Sequence, residues 1–573
     1  MLQTLTTPRG ETLSGTPWQV YPRPQMRRDS YINLNGEWDF AVSSGKPETF
    51  DMRITVPFCP ESRLSGIGRH FEEGAPLWYR RRFLLPEGFR RERVLLHIGA
   101  ADQIAEVFVN GQHLCRHEGG YASFCVDITE ALAEENELVI RCTDDLHDQA
   151  FPYGKQVMNR GGMWYTPVSG IWQTVWLESV PGTYIENLNI ENHGASVTIS
   201  TVPPLDGTVS VEQLGQFLLE HGQVTIAPEN PHFWCPDDPY LYCFTVETAQ
   251  DKVESYFAIR SLEIKKVGEY PRLCLNGKPY FFHGLLDQGY WPEGLLTAPA
   301  PESYADDILA MKRLGFNTLR KHIKVEPEEF YYQCDRLGII VWQDMVNNGS
   351  YSYFRDTVLP TIGIQKWNDR RLHSDERSRN AFRQGAADAV NQLKNHPCIC
   401  YWTIFNEGWG QFDSDRVCGW FRTLDATRFI DTTSGWFRGK NTDVDSRHQY
   451  FGKLRLEGDG LRPLVLSEFG GKTWRVEGHI FNPDKTYGYG ACPTREALNE
   501  AVAALYRESI VPAVEKGLCA AIYTQVSDVE DEVNGLITYD RRVVKLDADT
   551  MLPISRALQD AMEKTVASFE KMG

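Results

Sequence analysis

The sequence predicts a multidomain chain of β and α/β type. It reads as an N-terminal jelly-roll β-sandwich (residues 1–181), an immunoglobulin-like β-sandwich (182–263) and a C-terminal (β/α)8 TIM barrel (264–573). Three observations predict this. Short strand-like runs separated by turn signals, with few helical stretches, fill the first third. About 80 residues of alternating pattern follow, enough for a small sandwich. From about residue 264, short apolar strands alternate with helical stretches, which implies parallel pairing. Roughly 310 residues of that rhythm suit a (β/α)8 barrel.

In the first region, Val94 to Ile98 and Ala105 to Val109 read as strands. Asn110-Gly111, directly after Val109, marks a hairpin turn. Leu138 to Cys142 and Gln173 to Leu177 continue the pattern. In the second region the strands are Ser196 to Ile199, Gln223 to Ile226 and Tyr242 to Val246, and no residue there points to chemistry. In the third, helices over Ile308–Leu314, Glu328–Leu337 and Arg379–Lys394 are interleaved with strands at 317–320, 339–342 and 399–405.

Composition narrows the function. A formal charge of −18 repels phosphate backbones and anionic lipid heads, so neither nucleic acid nor membrane is an expected partner. The N-terminus lacks a basic region followed by an apolar core, and no run approaches a membrane span. The 13 cysteines form no Cys-x-x-Cys pairs. Cys398 and Cys400 lie in a strand-like run that would turn both the same way, which suits buried thiols of a cytoplasmic protein. Aromatics reach 12%, and some of those rings are available to pack against the apolar face of a sugar.

Two strand ends carry the chemistry. An apolar run from Cys400 to Phe405 leads into Asn406-Glu407-Gly408, and a second from Leu464 leads into Ser467-Glu468-Phe469-Gly470. In a (β/α)8 barrel the C-terminal strand ends form the active site, so both carboxylates meet at one mouth. A carboxyl group with little water around it favours its neutral form, as a general acid near neutral pH requires. A pair of such groups is the equipment of glycoside hydrolysis: one protonates the leaving oxygen and the other attacks the anomeric carbon. Asn406 adds an amide able to bond a sugar hydroxyl.

With these residues the sequence resembles glycoside hydrolase family 2, the family of the β-galactosidases, β-glucuronidases and β-mannosidases. Asn33 to Trp38 and Trp78 to Arg81 resemble its N-terminal sugar-binding-type sandwich, and Tyr165 to Trp172 that sandwich's closing strands. Phe233-Trp234 through Tyr242 resemble the end of its middle sandwich. Leu275 to Pro279 and His283-Gly284 resemble the approach to its barrel. Most specific are Asn406-Glu407, which match the acid/base, and Ser467 to Gly470, which match the nucleophile. The resemblance implies a retaining reaction without an organic cofactor. It further implies that Arg320 and His322, a basic pair at a strand end, hold the nucleophile's surroundings, and that a tyrosine near His448 and Tyr450 bonds the nucleophile. Asp287, Gln288 and Trp291 after the first strand, Asp344 ending the third, Trp474 after the nucleophile, and Tyr523 and Gln525 in the last strand are further candidates to line the site. Two departures stand out. The third strand ends Gln343-Asp344 where many relatives carry Asp-Glu, and the chain ends about 100 residues past Glu468. The metal pattern of the large β-galactosidases is not evident, so no required metal is expected.

The function expected is a retaining exo-β-glycosidase that removes a terminal neutral sugar, with a β-galactoside the first choice, in a chain for which a homo-oligomer stays open. In the glucuronidase branch an Asn-x-Lys pair reads the uronate carboxylate just before a stretch like Gly535 to Arg541 here. Glu532 and Asn534 stand at those two positions, and Asp528, Glu530 and Asp531 are close by, so a carboxylate would meet repulsion. The alternatives are a β-glucuronidase and a catalytically inactive carbohydrate-binding relative. Hydrolysis and transglycosylation share the same intermediate and stay open.

Overall fold

The computed structural model describes residues 2–361, 364, 369–437 and 439–570. A six-stranded antiparallel sheet runs in the order Met52–Val56, Gly36–Val42, Leu77–Phe83, Asn136–Thr143, Ile104–Val109, Gln112–Glu118. It faces a four-stranded sheet built around Arg93–Ile98 and Val175–Val180. Alternation sends Trp38, Phe40, Tyr79, Leu96, Val107 and Ile140 into the shared core. Asn110 (φ +50°) and Gly111 (φ +81°) both take the left-handed backbone that a two-residue hairpin turn needs. Gln173 and Thr174, expected in a strand, precede the one that starts at Val175.

A smaller sandwich follows. Sheets of three and four strands, between Asn187–Asn192 and Lys252–Phe257, close over Ile190, Ile199, Val209, Val246 and Phe257. Arg28 pins it to the first sandwich. Its guanidinium is buried and bonds Glu178 of the first domain at 2.9 Å and Asp251 of the second at 2.7 and 3.0 Å. The first residues bridge the first sandwich and the barrel: the Trp18 carbonyl takes a bond from Asn35 at 3.2 Å, and its indole donates to the Ala298 carbonyl at 2.9 Å. Leu5 and Trp18 pack in the barrel-side core, and Arg9 pairs with Asp306 of the barrel at 2.6 Å.

Eight parallel strands make the barrel: β1 (Phe282–Asp287), β2 (Thr318–Lys321), β3 (Ile340–Asp344), β4 (Ile399–Asn406), β5 (Phe429–Ser434), β6 (Asp445–Gln449), β7 (Leu464–Gly470) and β8 (Leu518–Thr524). They pair in the order 5-4-3-2-1-8-7-6, so a backbone ladder joins every neighbouring pair except β5 and β6. Among the described residues no helix fills the connections 434–445 and 449–464, so the barrel is short of a full helical ring on that side. Where helices do occur, the period is clear: Glu302–Arg313 buries Tyr304, Ile308 and Met311 on one face. Glu328–Leu337 stops at Gly338, whose left-handed backbone (φ +71°) returns its N–H to the Cys334 carbonyl. All thirteen cysteines are free thiols, and Cys398 and Cys400 are both buried. No helix among the described residues is long and apolar enough to cross a membrane.

Arg28 gives this architecture a test. Arg28→Met would strand two buried carboxylates, which costs about 3–5 kcal/mol, whereas the exposed Arg82→Met should stay within roughly 0.5 kcal/mol. Urea midpoints of the two variants are expected to separate clearly; equal midpoints would show that Arg28 does not hold the sandwiches together.

Candidate active site

β4 and β7 lie on different sides of the barrel, and their ends bring Glu407 and Glu468 face to face. Glu407 is the first residue past β4 and sits at φ +49°, a left-handed backbone uncommon for a side chain of its size. Its N–H donates to the Ser434 carbonyl at 2.9 Å, which holds this turn against β5. Gly408 follows at φ +81°, and a Cβ there would lie 2.2 Å from the Phe437 ring. The turn therefore needs glycine at that position and points Glu407 into the mouth. A carboxylate oxygen of Glu407, one of Glu468 and a ring nitrogen of His448 all lie within 4.8 Å of one another.

Arg320, at the end of β2, sits fully buried beneath them. Its guanidinium donates to Asp344 (2.9 Å), Glu468 (3.0 Å), the Ser467 carbonyl (3.0 Å) and Asn406 Oδ1 (2.9 Å). Asp344 takes a second contact from His322 Nδ1 at 2.7 Å. His448 bonds Glu407 through Nδ1 at 2.7 Å and stands 3.5 Å from Glu468 through Nε2. The Tyr450 hydroxyl donates to the other oxygen of Glu468. Burial alone would raise the Glu468 carboxyl, but His448, Arg320, His322 and the Tyr450 hydroxyl outweigh it and hold Glu468 below the usual glutamate range. The Asp344 carboxyl is held down in the same way against its burial, chiefly by Arg320 and His322.

The pocket above is lined by Glu407, Glu468, Asn406, His322, Tyr450, Gln288, Leu286, Met163, Tyr489, Thr524, Glu532 and Lys155. Of the residues predicted from sequence, Asn406, His322, Gln288 and Tyr450 line it, while Arg320, Asp344 and His448 support it from below. Three do not reach it. Asp287 turns its carboxylate away to Lys321 at 2.7 Å. Trp291 is buried edge-on to Tyr304 and beneath Arg541, 4.0 Å from its ring. Trp474 is half-buried against the barrel core. Gln525 is buried and gives its amide to Asn534 at 2.8 Å, one layer behind the lining; Tyr523 likewise accepts from the Lys472 N–H.

The corner at Glu532 differs from the charge pattern read from sequence. Asp528 is paired with Lys545 at 2.6 Å, and Asp531 and Glu530 with Arg160 at 2.9 and 3.4 Å, so these three carboxylates are spent away from the pocket. Asn534 donates to Glu532 at 2.9 Å, and the Tyr165 hydroxyl donates to its other oxygen at 2.5 Å. Burial raises the Glu532 carboxyl, opposed mainly by Lys155. Lys155 itself is a pocket residue that the sequence reading missed. It comes from the first domain, on the loop between Asn136–Thr143 and Gly170–Ile171. The adjacent Gly154-Lys155-Gln156 carries no signal that would place it at a barrel mouth.

Glu407, His448 and Glu468 are also close enough to hold a metal ion, as are Glu73, Asp145 and His147 on the first sandwich. At the first group Arg320 already supplies positive charge to Glu468.

Three sequence models of one family match consecutive parts of the chain: the glycosyl hydrolase 2 galactose-binding domain-like region at 69–160, glycosyl hydrolases family 2 at 183–260, and the glycosyl hydrolases family 2 TIM barrel domain at 266–455. The chain belongs to glycoside hydrolase family 2. Glu407 lies inside the matched barrel region and Glu468 beyond it. Among curated relatives, a β-galactosidase of Thermoanaerobacter pseudethanolicus is 24% identical over 57% of this chain and 44% of its own length. A β-glucuronidase of Bacteroides fragilis is 23% identical over 66% of this chain and 56% of its own length. The matches thus span about half the length of these relatives. The fold is shared with the β-glucuronidase of an uncultured Clostridium species, with a TM-score of 0.70 at 18% identity, over 95% of this chain and all of that one.

Proposed function

We propose that this family 2 chain is a retaining exo-β-glycosidase, with Glu468 as nucleophile and Glu407 as general acid/base. The observation that carries the reading is the approach of the two carboxylates within 4.8 Å. Retaining enzymes hold this pair roughly 5–5.5 Å apart, whereas an inverting one needs about 6.5–9.5 Å to seat a water. Roles follow from the partners. Arg320 and Tyr450 hold Glu468 as an anion suited to attack the anomeric carbon. Glu407 has no lysine or arginine paired with it among the described residues and bonds His448 instead, which suits it to the general acid's part at the leaving oxygen. After the aglycone leaves, the same group takes a proton from water, which releases the sugar with its configuration kept. The intact set of supporting bonds speaks for a catalyst over an inactive sugar-binding relative.

The sugar is a finer question. Curated relatives that match include β-glucuronidases of Bacteroides fragilis, Paenibacillus borealis and several mammals, and a β-galactosidase. That weight favours a β-glucuronide over the β-galactoside expected from the sequence. The galactoside reading keeps one observation of its own: Glu532 lines the pocket as an acceptor for hydroxyls.

Two experiments test the mechanism. Glu468→Ala should form no glycosyl-enzyme. Glu407→Ala should keep turnover of dinitrophenyl glycosides, whose leaving groups need little protonation, while losing about 10²–10⁴-fold on poor leaving groups. Azide should speed the second variant and yield a β-glycosyl azide. Equal losses on every leaving group, without azide rescue, would reverse or remove these roles.

The second experiment uses pH. Glu468 attacks only as an anion, and its pKa is depressed, so kcat/KM should fall on the acid side below the usual glutamate range. Tyr450→Phe removes a hydrogen bond to that anion. The Glu468 pKa should then rise and the acid limb move to higher pH, with a rate loss on the order of 10-fold or more. An acid limb that stays in place would mean that another group sets it.

A further inference from the structure

We infer that Lys155, brought to the barrel mouth by the first domain, is the residue that reads an anionic group on the terminal sugar, so that the preferred substrate is a β-linked uronic acid. This rests on the glycosidase reading above. Lys155 is 7% exposed and lines the pocket that holds Glu407 and Glu468. Among the described residues, the other buried lysines and arginines give their charged heads to carboxylates or backbone carbonyls: Arg28, Arg320, Lys321, Lys324 and Lys545 to carboxylates, Arg260 and Arg272 to carbonyls. The Lys155 ammonium makes no such bond. It lies over aromatic faces, Trp409 at 4.8 Å and Trp164 at 6.0 Å. A buried ammonium without an acceptor is costly to keep, and an anionic ligand would meet that cost.

Glu532 is the obvious internal competitor, and its geometry argues against it. Its oxygens take bonds from Tyr165 and Asn534, and no ion pair joins it to Lys155, although it is the carboxylate that acts most strongly on the Lys155 ammonium. Burial disfavours the charged form of Lys155, and Glu532, then Glu468 and Glu407, oppose it; the last two are themselves held by Arg320, Tyr450 and His448. The loop that carries Lys155 is braced to the barrel. The Tyr153 N–H donates to the Asn347 carbonyl at 3.1 Å, its hydroxyl to Gly349 at 2.8 Å, and the Thr166 N–H to Glu530 at 3.1 Å. The loop therefore holds Lys155 at the mouth with no ion-pair partner among the described residues. A ring whose anomeric carbon meets Glu468 places its other substituents against the remaining pocket wall. A carboxylate on C5, as in a uronic acid, is an anionic group that a terminal sugar can offer to that wall.

The test compares kcat/KM for 4-nitrophenyl β-D-glucuronide and β-D-galacturonide with the matching glucoside and galactoside, in the wild type, Lys155→Met and Lys155→Arg. The wild type should prefer one of the uronides. Lys155→Met should lower the ratio of uronide to neutral sugar on the order of 100-fold, and Lys155→Arg should recover part of it. Thermal melts establish which variants are folded; if Lys155→Met is not, Lys155→Gln is read in the same way. A wild type that favours a neutral sugar, or a ratio that does not move in a folded variant, overturns the assignment of Lys155. Failure of the wild type to turn over any of the four glycosides, with no labelling of Glu468 by 2-deoxy-2-fluoro glycosides, would instead overturn the glycosidase reading.

Discussion

The site depends on one buried guanidinium. Arg320 has a flat, rigid set of donors, and four of the bonds they make reach β3, β4 and β7 from β2. A lysine could neutralise Glu468 but could not fix the spacing between Asn406 and Glu468, because its charge is a point at the end of a flexible stem. Burial of such a charge is tolerable only with a fixed counter-charge, and Asp344 is that group. The departure noted in the sequence, Gln343-Asp344 at the end of β3, therefore has a structural purpose. Asp344 lies under the pocket and orients both Arg320 and His322.

The same region closes the barrel. β5 and β6 share no backbone ladder, and side chains span the gap: Ser434 Oγ lies 3.0 Å from His448 Nε2 and 3.1 Å from Ser467 Oγ, and Ser446 Oγ lies 2.6 Å from Ser467 Oγ. This small polar network touches both carboxylates through His448. Barrel closure and the alignment of Glu407 with Glu468 are thus one structural event. The first domain completes the enclosure, since Tyr165 bonds Glu532 and packs its ring, tilted, against Tyr290 at 4.8 Å. The barrel by itself would lack a wall of its own pocket.

Much of this was legible in the sequence, and the misses have physical causes. Glu407 and Glu468 could be found because an apolar strand that ends abruptly in a carboxylate is rare and the barrel sends every strand end to one mouth. Side-chain direction was harder. Leu286 and Gln288 face the pocket, so period-two alternation turns Asp287 the other way, toward Lys321. Trp291 and Trp474 lie in connections whose course no strand pattern fixes. Lys155 was out of reach, because a long loop of one domain carries it to the mouth of another and local periodicity says nothing about where such a loop lands.

The charge of the pocket illustrates the same limit. Counting acidic residues around Gly535 suggested a corner hostile to anions, yet Lys545 and Arg160 absorb three of those carboxylates, and only Glu532 faces inward. The overall charge of −18 is no better guide. Charges more than about 8 Å away across solvent are largely screened at physiological ionic strength. A single charge about 4 Å from a ligand in a partly dry site interacts by roughly 4 kcal/mol at an effective dielectric of 20. The nearby term is the larger one. What the pocket attracts is therefore decided by the few charged side chains that face it, and in the corner by Glu532 these are Glu532 itself and Lys155, which no ion pair joins.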